Sequence, residues 1–341
     1  MQALPELFVQ WHWKEVPKME LLQREMSFES HADGERIFVR IVEPADRTTV
    51  KGVLQIAHGM AEHSLLYMDF ATYVASNGFA VAINDHLGHG KSVSTGGSYG
   101  YFGENGCENL LQDMHKLYEI MRHDYPDIPY LLLGHSMGSF LARAYSARYG
   151  EELSAVAFLG TCGPIQRSLL TGRRTFAEAK RRKFGPKAHD AAFARYSTER
   201  FNRAFAPNRT KHDWLSGDDH FVDQYNNDPL CGFDLTISGY CDILQLQEQI
   251  SSPRWYRSVP RNIPILLMSG DRDPLGNFGK GIRQLAQRLV RTGHDVQLIL
   301  YPGARHVVLG ESNRQEVYQD LLQFYEAVTA MPETLPKAAS E

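Results

Sequence analysis

The residues best suited to chemistry begin with Ser136, in Gly134-His-Ser-Met-Gly138. This run follows the apolar stretch Tyr130-Leu-Leu-Leu133 and opens a helical pattern that includes Leu141, Ala144 and Tyr145. A sharp strand-to-helix turn with glycines on either side would hold the serine Oγ above a sheet. A serine hydroxyl is a poor nucleophile near neutral pH, so it needs a general base that is itself oriented by a carboxylate. Two later segments supply candidates: Asp273 in Ser269-Gly-Asp-Arg-Asp-Pro274, and His306 in Tyr301-Pro-Gly-Ala-Arg-His306. Each follows a short apolar run, and the order Ser, Asp, His suits a nucleophile-elbow enzyme. The chemistry these residues point to is acyl transfer through a covalent intermediate on Ser136.

Rivals exist for each role. Gly96-Gly-Ser-Tyr-Gly100 also fits the glycine and serine spacing, but no apolar run leads into Ser98 and no helical pattern leaves it, so it reads as a flexible loop. Asp271 lies two residues from Asp273 and reads as a loop-capping residue. His58, His86 and His89 precede the serine, the wrong order for the base. Negative charge on a tetrahedral intermediate calls for two backbone N–H donors. The residue after the nucleophile, Met137, offers one, and Met60 in His58-Gly-Met60 offers the second.

The elements that would position these groups form a repeating pattern. Arg36 to Val42, Gly52 to His58, Phe79 to Asn84, Tyr130 to Leu133 and Ala155 to Leu159 read as strands, several of them buried on both faces. Leu110, Met114, Leu117 and Met121 share a helical stripe between two of them, as do Leu66, Phe70, Tyr73 and Val74. Alternation of strand and helix predicts a mostly parallel sheet with crossover helices, an α/β fold. The pattern stops from Pro164 to about Ser258 and resumes with strands at Ile263 to Met268 and Val296 to Leu300. The expected organisation is therefore a core in two parts, 1–163 and 259–330, a mainly helical cap inserted at 164–258, and a disordered tail at 331–341.

Composition narrows the function classes. Apolar residues make up 43% and charged residues 22% of 341, and the formal net charge is -4, so a packed core is expected and a nucleic-acid partner is not. No signal-peptide pattern or apolar run of membrane-spanning length is present, which predicts a cytoplasmic protein. Cys107, Cys162, Cys231 and Cys241 lack metal-ligand spacing along the chain, so they are expected to be reduced packing residues. No cofactor and no metal are expected, and no oligomeric state is set. A small-molecule ester is the partner expected of the acyl-transfer chemistry. Lys180-Arg-Arg-Lys183 in the cap could meet phosphate or make transient contact with an anionic membrane surface, although such a run is more commonly a solvated helix face.

Taken jointly, His58-Gly-Met-Ala-Glu-His63, Asp85-His-Leu-Gly-His-Gly-Lys-Ser92, the Ser136 elbow, and the segments ending in Asp273 and His306 give a resemblance over roughly 28–328. The chain resembles the monoacylglycerol lipase and lysophospholipase branch of the α/β hydrolases. That resemblance implies a single-acyl lipid ester as substrate, Asp273 rather than Asp271 as the acid, and a helical cap over the site. It also implies Glu62 and Leu66 as substrate-binding positions. Family members acting on monoacylglycerol carry an arginine where this chain has Leu66, which leaves lysophospholipids and simple esters open. The rival enzyme class is a proline-iminopeptidase-like peptidase, with Asp213, Asp218, Asp219 and Asp223 available for a free amino terminus. A binding protein on a hydrolase fold is the non-enzyme alternative.

Overall fold

A computed structural model describes residues 19–195 and 199–330. The expected tail at 331–341 lies outside the described residues. Among those described, eight strands form one sheet in the order β1-β2-β4-β3-β5-β6-β7-β8. They are β1 Leu21–Glu29, β2 Arg36–Pro44, β3 Gly52–Ala57, β4 Phe79–Asn84, β5 Tyr130–His135, β6 Ala155–Leu159, β7 Ile265–Gly270 and β8 Val296–Tyr301. From β4 onward every pairing is parallel, while β1 and β2 add an antiparallel edge.

The sequence pattern missed β1. Its residues Leu-Leu-Gln-Arg-Glu-Met-Ser-Phe-Glu are mostly exposed or half-buried, so neither a continuous apolar run nor a clean alternation marks it. The central strands β3 to β7, by contrast, are buried at every position.

Alternate side chains of those strands feed two apolar layers. One face packs against α1 (Met68–Ala75) and α11 (Arg314–Thr329), through Phe70, Val74, Val317 and Leu321. The other packs against α2 (Gly106–Asp124), α3 (Met137–Tyr149) and α10 (Lys280–Arg291), through Met114, Leu141 and Leu285. Each fully buried aliphatic side chain contributes roughly 1.5–3 kcal/mol, so the middle of the sheet is the most strongly held part of the chain. The functional loops leave from the carboxyl ends of these strands.

Between β6 and β7 the chain runs through helices: α4 (Arg167–Phe184), the short turns α5 (Ala191–Ala194) and α6 (Arg200–Asn202), α7 (Asp219–Asn227), α8 (Ile237–Ser251) and α9 (Pro253–Ser258). This is the inserted helical cap. Its entry and exit are joined by Arg143 of α3, whose guanidinium is fully buried and, among the described residues, pairs with no carboxylate. It donates to Cys162 O at 3.0 Å and Ile250 O at 2.8 Å and stacks 4.5 Å from the Trp255 ring centre. No described helix is long and apolar enough to cross a membrane.

Candidate active site

Ser136 stands between β5 and α3 with φ 52° and ψ -117°, a conformation that costs a non-glycine residue about 1–3 kcal/mol. Its N–H donates to Leu159 O at 3.0 Å, which holds the turn down on β6. The glycine at 138 is required by close approach: a Cβ there would lie 2.0 Å from Ala57 O. Helix α3 therefore begins hard against the end of β3, and Ser136 is lifted between the two.

The Ser136 Oγ–H donates to His306 Nε2 at 2.8 Å, and His306 Nδ1–H donates to Asp273 Oδ2 at 3.1 Å. Asp273 follows β7 and His306 follows β8. Their loops touch closely, since a Cβ on Gly270 would lie 2.0 Å from Ala304 O. Both side chains are buried, and the Asp273 carboxylate also accepts from Leu275 N–H at 2.8 Å and Ser269 Oγ–H at 3.2 Å. Asp271 lies elsewhere and accepts from Gly303 N–H at 2.8 Å. Ser98 sits in an irregular segment flanked by turns, with neither strand nor helix adjoining it.

Met137 is the first residue of α3, where N–H groups have no intrahelical acceptor and the helix dipole is positive. Met60 lies in the turn after β3, next to Gly59, which packs on the serine, since a Cβ on Gly59 would be 3.1 Å from Ser136 Cβ. Glu62 closes that turn from within. Its buried carboxylate accepts from Gly59 N–H, Tyr67 O–H and His135 Nδ1–H. Burial opposes this charge, but the hydrogen bond from His135, the attraction of His135 and His58, and the Tyr67 hydroxyl outweigh it and hold the carboxyl at about 2. Glu62 thus braces the loop beneath Met60 through bonds to the protein itself. Leu66 is half-buried between two apolar clusters and lines an open cleft of about 720 Å³ with Asp69, Phe221 and Asp228. Neither Ser136 nor His306 borders that cleft.

Several supporting residues were given no role of their own from the sequence. His58 has its pKa lowered by burial, against the pull of Asp85 and Glu62. Its Nδ1–H donates to Gly59 O at 2.8 Å and its Nε2 accepts from His86 N–H at 2.9 Å, joining the loops after β3 and β4. Asp85 accepts from Ser64 and Lys91 N–H groups at 2.8 and 2.7 Å. Cap residues reach the site as well. The Trp214 ring lies 4.7 Å from that of His306, Val307 N–H donates to Leu215 O at 2.7 Å, and Arg305 donates to Asp213 O and to Ser216 O. His58 and Asp85 sit inside recognisable motifs, whereas nothing in the local sequence marks Trp214.

The cap acids are committed within the protein. Asp213 accepts from Thr210 and Arg209, Asp219 and Asp223 pair with Arg209, and Asp218 caps α7.

Comparison with known proteins identifies the family. A family model described as serine aminopeptidase, S33, matches residues 48–313. The chain is 29% identical over 279 residues to a monoacylglycerol lipase of Mycolicibacterium smegmatis, covering 80% of this chain and 88% of that protein. To the human monoglyceride lipase it is 27% identical over 280 residues, with 82% of each chain covered. Among solved structures, a thermostable carboxyl esterase from Bacillus coagulans in complex with glycerol superposes with a TM-score of 0.85 at 31% identity, covering 90% of this chain and 99% of that one. Family match, sheet order and relatives converge: the chain belongs to the serine aminopeptidase S33 family of α/β hydrolases and is a carboxylic ester hydrolase of the monoacylglycerol-lipase-like kind.

Proposed function

We propose that the protein hydrolyses esters of single-acyl lipids through an acyl-enzyme on Ser136. The observation that carries the reading is the continuous relay from Ser136 Oγ to His306 Nε2 at 2.8 Å and from His306 Nδ1 to Asp273 at 3.1 Å. Ser136 Oγ attacks the ester carbonyl carbon while His306 Nε2 takes its proton, and Asp273 holds the imidazole and balances its charge. The N–H groups of Met60 and Met137 stabilise the oxyanion by a few kcal/mol. Collapse expels the alcohol, which takes the proton from Nε2, and water then repeats the sequence on the acyl-enzyme.

The acyl chain is assigned to the apolar cluster of Trp214, Leu215, Tyr225 and Val307, beside which Trp214 packs on His306. Relatives named as monoacylglycerol lipases favour such a substrate. The family description favours a peptidase instead, but that reading needs free acids for an amino terminus, and the four candidates in the cap are already bonded within the protein. Glu62 acts as a brace and Leu66 as an apolar wall that leaves headgroup choice loose. The cap, residues 164–258, meets lipid surfaces through α4, whose Leu169, Phe176 and Phe184 are about half exposed among cations. The working compartment is the cytoplasm.

The test is labelling with a fluorophosphonate probe alongside hydrolysis of matched p-nitrophenyl ester, monoacylglycerol and lysophospholipid substrates. Ser136→Ala should abolish labelling and turnover, and Ser98→Ala should leave both near the parent level. Labelling that survives in Ser136→Ala sinks the assignment.

A further inference from the structure

We propose that His63, Asp228 and Cys231 form a binding site for a zinc-like divalent cation that ties the loop carrying Met60 to the cap and slows turnover. His63 Nε2 lies 2.9 Å from Asp228 Oδ2, and the ligand atoms of all three residues lie within 4.8 Å of one another. Tetrahedral zinc with bonds of about 2.0–2.3 Å holds its ligand atoms roughly 3.3–3.8 Å apart. Small side-chain rotations therefore convert the observed cluster into a three-ligand site, with water at the fourth position.

The surroundings are built to hold these ligands. Leu230 N–H donates to Asp228 Oδ1 at 2.8 Å, orienting the carboxylate as an outer partner orients a metal ligand. Cys231 N–H donates to Asp228 O at 3.0 Å, and the next residue, Gly232, donates to Ala61 O at 2.9 Å, which presses the thiol toward the loop that bears His63. Asp228 also lines the open cleft, which gives an ion a route in. One sulfur, one imidazole and one carboxylate select zinc-class ions, whereas calcium and magnesium demand oxygen ligands. On binding, the Cys231 thiol releases its proton to solvent, and His63 gives up the Nε2 hydrogen it donates to Asp228 and takes one on Nδ1, so that the freed Nε2 lone pair exchanges its contact with Asp228 for the metal.

The effect on turnover rests on the reading of Ser136 given above. His306 is buried under Trp214 of the cap and Ser136 is only partly exposed, so substrate entry requires the cap to shift. A cation bridging residues 63, 228 and 231 opposes that shift.

The experiment uses the tag-free full chain, stripped with a chelator and titrated with Co²⁺ and then Zn²⁺. Expected results are one ion per chain, a thiolate-to-cobalt absorption band that Zn²⁺ displaces, and ester turnover that falls over the same Zn²⁺ range and recovers with EDTA. Cys231→Ser and Asp228→Asn, made separately so that one misfolded variant does not decide the matter, should each weaken binding by about tenfold or more. Cys241→Ser should bind as the parent does. Absence of the band in the parent, its survival in Cys231→Ser, or turnover indifferent to bound Zn²⁺ overturns the proposal. Ser136→Ala should retain the cobalt band, so failure of the catalytic reading registers separately from failure of the metal site.

Discussion

The floor of the site and helix α4 of the cap are built on opposite principles. Beneath Ser136, polar groups such as His58, Glu62, Asp85 and Asp273 are buried and bonded to backbone N–H or C=O groups. Such a network is costly when partly satisfied and rigid when complete. Helix α4 buries only Leu170 and Ala177 along its 18 residues and leaves Leu169, Phe176 and Phe184 about half exposed. Its lysines lie over those rings, with Lys180 5.2 Å from the Phe176 centre and Lys183 5.0 Å from that of Phe184. Fixed geometry serves bond making, where a misplacement of an ångström is expensive. An adaptable surface suits the lipid docking proposed for α4.

Substitutions in the floor should strike every substrate equally. His306→Ala and Asp273→Asn should each lower kcat by a factor on the order of 10³ or more. Asp271→Asn, at a carboxylate that serves Gly303 instead, should stay within about threefold. Steady-state kinetics on a water-soluble ester decides this, and a larger loss for Asp271→Asn would move the acid.

Glu62 tests the floor through stability. Its folded pKa of about 2 lies below the ordinary 4.5, so its contribution is fully present above about pH 4.5 and is lost as pH falls through about 2. The difference corresponds to about 3 kcal/mol. Urea midpoints across that window should fall for the parent, and Glu62→Gln should begin lower and vary less with pH. Parallel curves for the two would remove Glu62 from its bracing role.

On the cap the effect should depend on the substrate's physical state. Phe176→Ser with Phe184→Ser should reduce turnover of a monoacylglycerol in anionic vesicles by about tenfold while leaving a dissolved short-chain ester nearly unchanged. Equal losses on both would show that α4 shapes the site rather than docking on lipid. The smallest change expected is at Leu66→Arg. An added guanidinium among Asp69 and Asp228 in the cleft should raise monoacylglycerol turnover, relative to a simple ester of the same acid, by about fivefold at most. No change in the ratio of kcat/KM would remove residue 66 from headgroup choice.

The sequence determined the central sheet and marked Ser136, Asp273 and His306 as candidates, and the reason is local. Strands β3 to β7 are buried on both faces, so they carry continuous apolar runs that stand out without any tertiary information. The elbow is legible because a close turn against β3 demands glycine at 138. Edge strand β1 was not legible, since its exposure leaves no hydrophobic period. Glu62 was legible only in part for a related reason: the sequence marks an acid beside Met60, but only packing tells which groups its carboxylate meets, and here it accepts from Gly59, Tyr67 and His135. Trp214 on His306 and the cluster of His63, Asp228 and Cys231 belong wholly to tertiary structure. His63 and Asp228 are 165 residues apart in the chain, and ligand spacing read along a sequence finds only sites whose members share a local segment. Folding the cap back over the sheet supplies the contacts that linear spacing cannot encode.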